Sequence, residues 1–313
     1  MTDAFVSICL AYGLLSPLIN AYSAAQHIIQ AIPLNGSPLL QLPHITPAIA
    51  RAIEGTDPKK QMTVQQFMDM PEYQRRKLAT DQAGVLSPQQ YNDAVAVARQ
   101  IPLVRVEKAF FKCQGEKYIT PGCLVQFVVK LRIIPPGTTN IPEVSADQLE
   151  DIDPAEDDVD ALLGRKKSGT KGAKDGTDAL EKEVQPPLTF APYFARDHSP
   201  RWHMFLADMK QNRVAVAPTT FTAFDKPLFD ASGKPTFNMQ TIKLQFQGPP
   251  QPGSYSFAMQ LICDSYVGMD SVMETTLVIE DAAKAVEIES DEEISEPDEG
   301  MCFCVWCFVC VRV

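Results

Sequence analysis

Acid and base are missing from the first part of this chain: Ala4 to Ala50 contains no Asp, Glu, Lys or Arg. A stretch without charge could cross a bilayer if about 20 consecutive residues were mostly apolar. Ser16-Pro17, Asn20, Ser23, Gln26, His27 and Gln30 interrupt it too often, so buried helices of a folded domain are expected instead. A basic leader with a cleavage site is also lacking, and no secretory signal is expected. Without one, Asn35-Gly36-Ser37, followed by Pro38, reads as a turn and not as a glycosylation site.

Catalytic signatures are absent too. There is no G-x-x-x-x-G-K-[ST], no H-E-x-x-H and no G-x-S-x-G, and Gly164–Gly169 lacks the Lys-Ser/Thr that would hold phosphate and Mg²⁺. Histidine is scarce, and His27, His44, His198 and His203 show no metal-ligand spacing. His198 and His203 flank Pro200 and read as a loop pair. Asp197-His198-Ser199 lists the residue types of a hydrolytic triad, but immediate neighbours cannot converge as a triad must. No enzyme, cofactor or metal is expected.

Cysteine is present but not as a disulfide framework. Cys9, Cys113, Cys123 and Cys263 lie scattered in apolar segments and read as small buried thiols, which suits a reducing compartment. The other four crowd into Met301–Val313. There Cys304, Cys307 and Cys310 overlap as C-x-x-C units, yet no His or second knuckle completes a zinc site. That end reads as an aberrant terminus.

What is present is enough to fold. The chain has 313 residues, 45% of them hydrophobic, with 25 prolines that punctuate short elements. Helix-start signals recur in the first hundred residues. Ser16-Pro17, Thr46-Pro47 and Ser87-Pro88 each set a capping hydroxyl before a proline at the first helical position. Thr63-Val-Gln-Gln66 and Ser87-Pro-Gln-Gln90 fit the capping box. The pattern predicts helices near 3–14, 17–32, 47–54, 63–69, 71–80 and 88–99.

At Ile101-Pro102 the period changes to two. Val125, Phe127, Val129, Leu131 and Ile133 alternate with Gln126, Lys130 and Arg132, and Ile242, Leu244 and Phe246 alternate with Thr241, Lys243 and Gln245. Such alternation predicts antiparallel strands of a sandwich. Strands are expected near 103–112, 123–134, 201–208, 212–217, 219–224, 239–247 and 255–264, with 273–280 as an extra edge.

Acidity is confined to two runs. Residues 143–160 carry nine acids and no base, 287–299 carry eight acids and no base, and elsewhere Lys and Arg outnumber acids. Residues 138–189 are low in hydrophobicity, highly charged and poor in aromatics, which predicts a disordered insert. The tail from Ala282 reads the same way. The expected whole is an α+β protein with a helical domain over 1–100. It continues with an immunoglobulin or fibronectin type III-like β-sandwich over 101–281, interrupted at 138–189, and an acidic tail over 282–313.

Three blocks carry a resemblance. The first is Ser37-Pro-Leu-Leu-Gln-Leu-Pro-His-Ile45. The second is Ala191-Pro-Tyr-Phe194 with Arg201-Trp-His-Met-Phe-Leu-Ala-Asp-Met-Lys-Gln-Asn-Arg-Val214. The third, and the most specific, is Pro250-Gln-Pro-Gly-Ser-Tyr255 with Cys263-Asp-Ser-Tyr-Val-Gly-Met-Asp270. Together they resemble the cytosolic domain of the Sec sixty-three family, accessory subunits of the protein-translocation channel of the endoplasmic reticulum. The family's first block links a helical bundle to a helix-hairpin-like unit.

The signature residues Trp202, Asp208, Tyr255, Asp264, Ser265, Tyr266, Gly268 and Asp270 read as structural. Trp202 and Tyr255 are expected to fill the sandwich core. The Asp264–Asp270 turn is expected to be held by side-chain bonds to backbone amides. The same blocks occur in large spliceosomal and DNA-repair helicases, which leaves an accessory helicase module as the alternative.

The resemblance implies a non-catalytic subunit docked on the cytosolic face of the Sec channel in post-translational import. It also implies that the acidic tail (Asp291, Glu292, Glu293, Glu296, Asp298, Glu299) engages a basic cytosolic segment of a partner subunit. Ser290 and Ser295, each with an acid three residues on, are expected phosphorylation sites of an acid-directed kinase. Nucleic acid is not an expected partner, because acidic runs repel phosphates. The family's His-Pro-Asp of a J-domain and its membrane spans are not found, so the chain reads as a fragment or truncated gene product. Membrane association is expected through partners or through missing spans.

Overall fold

A computed structural model describes residues 2–55, 61–82, 86–113, 118–151 and 184–281. The charge-free start forms α1 (Thr2–Ala11) and α2 (Leu15–Gln30). The first helix ends earlier than expected because Gly13 turns at φ +64°. The expected Ser16-Pro17 cap is not used: α2 begins at Leu15, and Ser16 donates its hydroxyl to Asn212 Oδ1 at 2.6 Å. Among the described residues, no helix is long and apolar enough to cross a membrane.

The remaining helices are short and locally specified. A 3₁₀ turn at Pro38–Gln41 is capped by Ser37, and α3 (Pro47–Glu54) by Thr46. Both capping boxes form, Thr63 with Gln66 at α4 (Val64–Asp69) and Ser87 with Gln90 at α6 (Pro88–Gln100). Between them, α5 (Glu72–Lys77) runs into a π-type turn at Leu78–Gln82.

Seven antiparallel strands follow among the described residues. β1 (Leu103–Cys113), β2 (Leu124–Ile134) and β5 (Met239–Gln247) make a sheet ordered 1-2-5. β3 (Trp202–Asp208), β4 (Arg213–Phe221), β6 (Gly253–Cys263) and β7 (Ser271–Ile279) make a sheet ordered 4-3-6-7. The two strands expected at 212–217 and 219–224 are one strand, β4. Pro218 fits inside it because β4 is an edge, where a missing N–H costs no ladder bond. Its register with β3 slips between Met204 and Ala207.

The sheets face each other through aromatic side chains. Phe257 of β6 meets Phe111 of β1 and Phe246 of β5 at 6.4 Å between ring centres. Helices and sandwich share one apolar core, in which Ile49, Phe67, Tyr91 and Ala98 join Phe127, Leu131, Trp202 and Leu261. The other face of the four-stranded sheet is covered by α1 and α2: Cys9, Leu15, Leu18 and Tyr22 pack on Phe205, Ala207 and Ile262.

The polar face of β2 is covered: Gln126, Lys130 and Arg132 are all buried. The segment expected to be unstructured from 138 is described as far as 151. It carries a short helix, α7 (Ala146–Leu149), and passes over that face, where Arg132 donates to the Pro142 carbonyl at 2.7 Å. The rest of the expected insert, 152–183, and the acidic tail lie outside the described residues.

Candidate functional site

The three sequence blocks meet at the turn that leaves β6. Asp264 is buried, and its Oδ1 accepts the Arg201 N–H at 3.0 Å while its Oδ2 accepts the Arg201 Nε at 2.7 Å. Ser265, fully buried, donates its hydroxyl to the same carboxylate. Burial pushes the Asp264 carboxyl up, but the His198, Ser265 and Arg201 bonds outweigh it and hold the pKa at about 2. Backbone bonds repeat the link, since the Asp264 N–H donates to the Arg201 carbonyl at 3.0 Å.

Three glutamines from the helical region read this turn. Gln26 of α2 donates to the Cys263 carbonyl at 2.7 Å and to Asp270 at 2.9 Å. Gln30, one turn on, donates to the Ser265 carbonyl at 2.6 Å. Gln41 closes a two-bond pair with Val267, donating to its carbonyl at 2.8 Å and accepting its N–H at 3.1 Å. Gly268 turns at φ +78°, and a Cβ there would lie 3.3 Å from Thr63 and 3.4 Å from Pro38. Both the conformation and the close approach favour glycine.

Asp270 differs from Asp264. One side of the residue is open to water, but its carboxylate is turned inward to Gln26 and the Cys263 N–H. Desolvation raises its pKa to about 6 against the lowering effect of those two donors.

The other signature residues have separate places. Trp202 is buried and stacks on Phe221 at 5.5 Å between ring centres. Asp208 turns the β3–β4 hairpin by accepting the Lys210 and Gln211 N–H groups at 2.9 and 3.0 Å. Tyr266 is buried. Tyr255 does not fill the main core as expected. It is half-buried beside a small satellite cluster, because its hydroxyl donates to the Gln251 carbonyl at 3.0 Å on the exposed side.

A second polar cluster lies on the outer face of the three-stranded sheet. The Asp151 carboxylate is reached by Lys112 at 2.6 Å, Lys243 at 2.7 Å and Lys130 at 3.8 Å. Desolvation opposes ionisation of Asp151, but hydrogen bonds from Lys112 and Lys243 prevail and lower its pKa. Burial, with help from Lys243, Lys112 and Lys108, lowers the pKa of Lys130 against the pull of Asp151.

The chemistry of these clusters is that of holding. His198 and Ser265 both bond to Asp264, at 3.4 Å for the histidine, so they converge on one carboxylate and do not form a relay from hydroxyl through imidazole. His203 is on β3, not in a loop, where it bonds Thr220 and stacks on Tyr22 at 4.7 Å. A cavity of about 480 Å³ opens beside Asp264, lined by Asp3, Tyr22, His198, Arg201 and His203. Among the described residues, no group of three His, Cys, Asp or Glu side chains could hold a metal ion.

Arg201, the three glutamines, Asp151 and its lysines were not singled out by sequence. Gln26 and Gln30 did carry a signal, being polar residues one turn apart in a helix without charge.

Searched against protein-family models, the chain matches none. It is 29% identical over 300 residues to translocation protein sec63 of Schizosaccharomyces pombe, across 95% of this chain and 44% of that protein. The translocation protein SEC63 homolog of Homo sapiens is 27% identical over 119 residues, 36% of this chain and 14% of that protein. The chain is thus similar to members of the Sec sixty-three family. It is also 23% identical over 292 residues to the U5 small nuclear ribonucleoprotein 200 kDa helicase of Drosophila melanogaster, across 93% of the chain and 10% of the helicase. The chain thus spans less than half the length of the first of these relatives and a tenth of the helicase.

Proposed function

We propose that the chain is a non-catalytic docking module of the endoplasmic reticulum translocation machinery. It acts on the cytosolic face of the Sec channel and supports post-translational import. The observation that carries this reading is similarity along 95% of the chain to a translocation protein. The junction around Asp264 supports it, because its polar groups bond one another and hold helices and sandwich as one rigid platform. An exposed apolar stripe formed by Phe5 and Ile8 of α1 and continued by Tyr12 in the turn that follows it suits a protein partner.

The sandwich is read as fibronectin type III-like. Three strands face four, and Tyr255, near the start of β6, returns its hydroxyl to the backbone at Gln251. That bond resembles the tyrosine corner of immunoglobulin-like sandwiches and supports the reading. The acidic tail after residue 281 is assigned to a basic cytosolic segment of a partner subunit. Phosphorylation at Ser290 and Ser295 would add roughly −1.5 to −2 charges each and tighten that contact. Membrane association is assigned to partner subunits or to spans in a longer protein.

A second reading, an accessory module of an RNA- or DNA-processing helicase, is favoured by the helicase similarity over 93% of the chain. The two acidic runs weigh against it. Pull-down of the channel's cytosolic loops by the full chain in moderate salt tests the first reading. Equal retention on random RNA, falling steeply with salt, supports the second.

A further inference from the structure

Sequence led us to expect four isolated buried thiols, but two of them are in contact. Cys113 Sγ and Cys123 Sγ are 2.7 Å apart. Cys113 ends β1, and Cys123 immediately precedes β2. Cys113 lies opposite Val125 in the antiparallel ladder, so the two thiols sit diagonally across one end of the hairpin. A disulfide needs about 2.05 Å between sulfurs, well under an ångström of further approach.

We infer that Cys113 and Cys123 are a redox-modifiable pair that closes to an intramolecular disulfide when a peroxide-class oxidant is present. Their exposures fit the two steps. Cys123 is half-buried and gives the oxidant access, whereas Cys113 is buried behind it. The Cys123 thiolate attacks the peroxide O–O bond, becomes a sulfenic acid and releases hydroxide. The Cys113 thiolate then attacks the Cys123 sulfur, the S–S bond forms and the second hydroxide leaves. Two thiols and one hydrogen peroxide give one disulfide and two waters.

The other described cysteines lack this arrangement. Cys9 is buried under α2 against the four-stranded sheet, and burial pushes the Cys263 thiol far up in pKa, which keeps it unreactive. A metal is not the better ligand for the pair, since no third His, Cys, Asp or Glu joins it among the described residues.

Closure would act where the sandwich ends. Cys113 packs with Val125, Leu277 and Ile279, and Ile119, between the two cysteines, accepts the Glu280 N–H at 2.8 Å. The covalent tie would therefore fix the end of β1–β2 against the last strand.

The test uses the full chain, reduced, freed of reductant and exposed to hydrogen peroxide before alkylation and tryptic digestion. Lys112, Lys117 and Lys130 place the cysteines in separate peptides, 113–117 and 118–130. The expected product is those two peptides joined with loss of two hydrogens, restored to alkylatable thiols by dithiothreitol. Oxidised chain should also melt at a higher temperature than reduced chain, and Cys123→Ser should abolish both effects. Recovery of both peptides alkylated after peroxide, or Cys123 joined instead to a cysteine of 302–310, overturns the inference. The peptide result on the unmutated chain decides the matter even if the serine variant folds poorly.

Discussion

Gln26 and Asp270 are 244 positions apart and are joined by a 2.9 Å hydrogen bond. One belongs to the second helix and the other to the turn after the sixth strand, so the bond ties the two ends of the described chain. The same amide holds the Cys263 carbonyl, which lies beyond the last β6–β7 pair, Leu261 with Ser271.

Gln26→Ala should therefore cost more than a surface change. Its loss leaves a buried carbonyl without its donor, which costs about 1–3 kcal/mol. Urea melts of Gln26→Ala, Asp270→Asn and the double variant should show non-additivity, as contacting residues do. Additive effects would mean that the two side chains do not act together.

The two aspartates of the turn predict opposite responses to pH. Asp264 has a folded pKa of about 2, below the ordinary carboxyl value of 3.8, so its stabilising contribution is present above 3.8 and is lost as pH falls through 2. Asp270 has a folded pKa of about 6, above 3.8, so its contribution is present below 3.8 and is lost as pH rises through 6. Stability measured from pH 7 to 2 should lose its change between 4 and 6 in Asp270→Asn, and lose its acid-limb change in Asp264→Asn. An unchanged profile in either variant contradicts the assignment of that residue.

Trp202 stacks on the β4 ring Phe221 at 5.5 Å, has Phe224 tilted against it at 5.2 Å, and is almost wholly buried. Trp202→Ala should destabilise the chain by about 3–5 kcal/mol in denaturant melts. A cost under roughly 0.5 kcal/mol, the range of surface substitutions, would remove this ring from the core.

Asp151 anchors the segment over the three-stranded sheet. Asp151→Ala takes the shared carboxylate from Lys112, Lys130 and Lys243 and should cost about 1–3 kcal/mol, between exposed and buried ion pairs. Added salt should narrow the gap to the unmutated chain, because it screens repulsion among the lysines. Deleting 152–183 behind a short Gly/Ser link should leave the melting temperature nearly unchanged, since loop length costs little. Removing 138–151 as well should not be neutral.

These cases show which parts of the fold are legible in sequence. Capping boxes at Thr63 and Ser87 are, because their partners lie three residues away. Strand alternation in β2 identifies two faces but not what covers them, so the burial of Lys130 and Arg132 beside Pro142 and Asp151 is not legible. The merged β4 was split at Pro218 because local propensity does not reveal an edge position. Glycine at 268 was legible as a turn residue, whereas its approach to Pro38 and Thr63 depends on tertiary packing. The glutamine readout of the 263–270 turn was least legible, since a polar residue on a helix has no sequence mark for a partner over 200 positions away.

The docking account rests on what the surface binds. Its most direct measurement is the affinity of the full chain for peptides of the translocation channel's cytosolic loops, compared with random single-stranded RNA across a salt series. The account predicts saturable loop binding in moderate salt, weakened by Phe5→Ser/Ile8→Ser on the exposed α1 stripe, and negligible RNA binding. Tight RNA binding with a steep salt slope and no binding to the loops would contradict it.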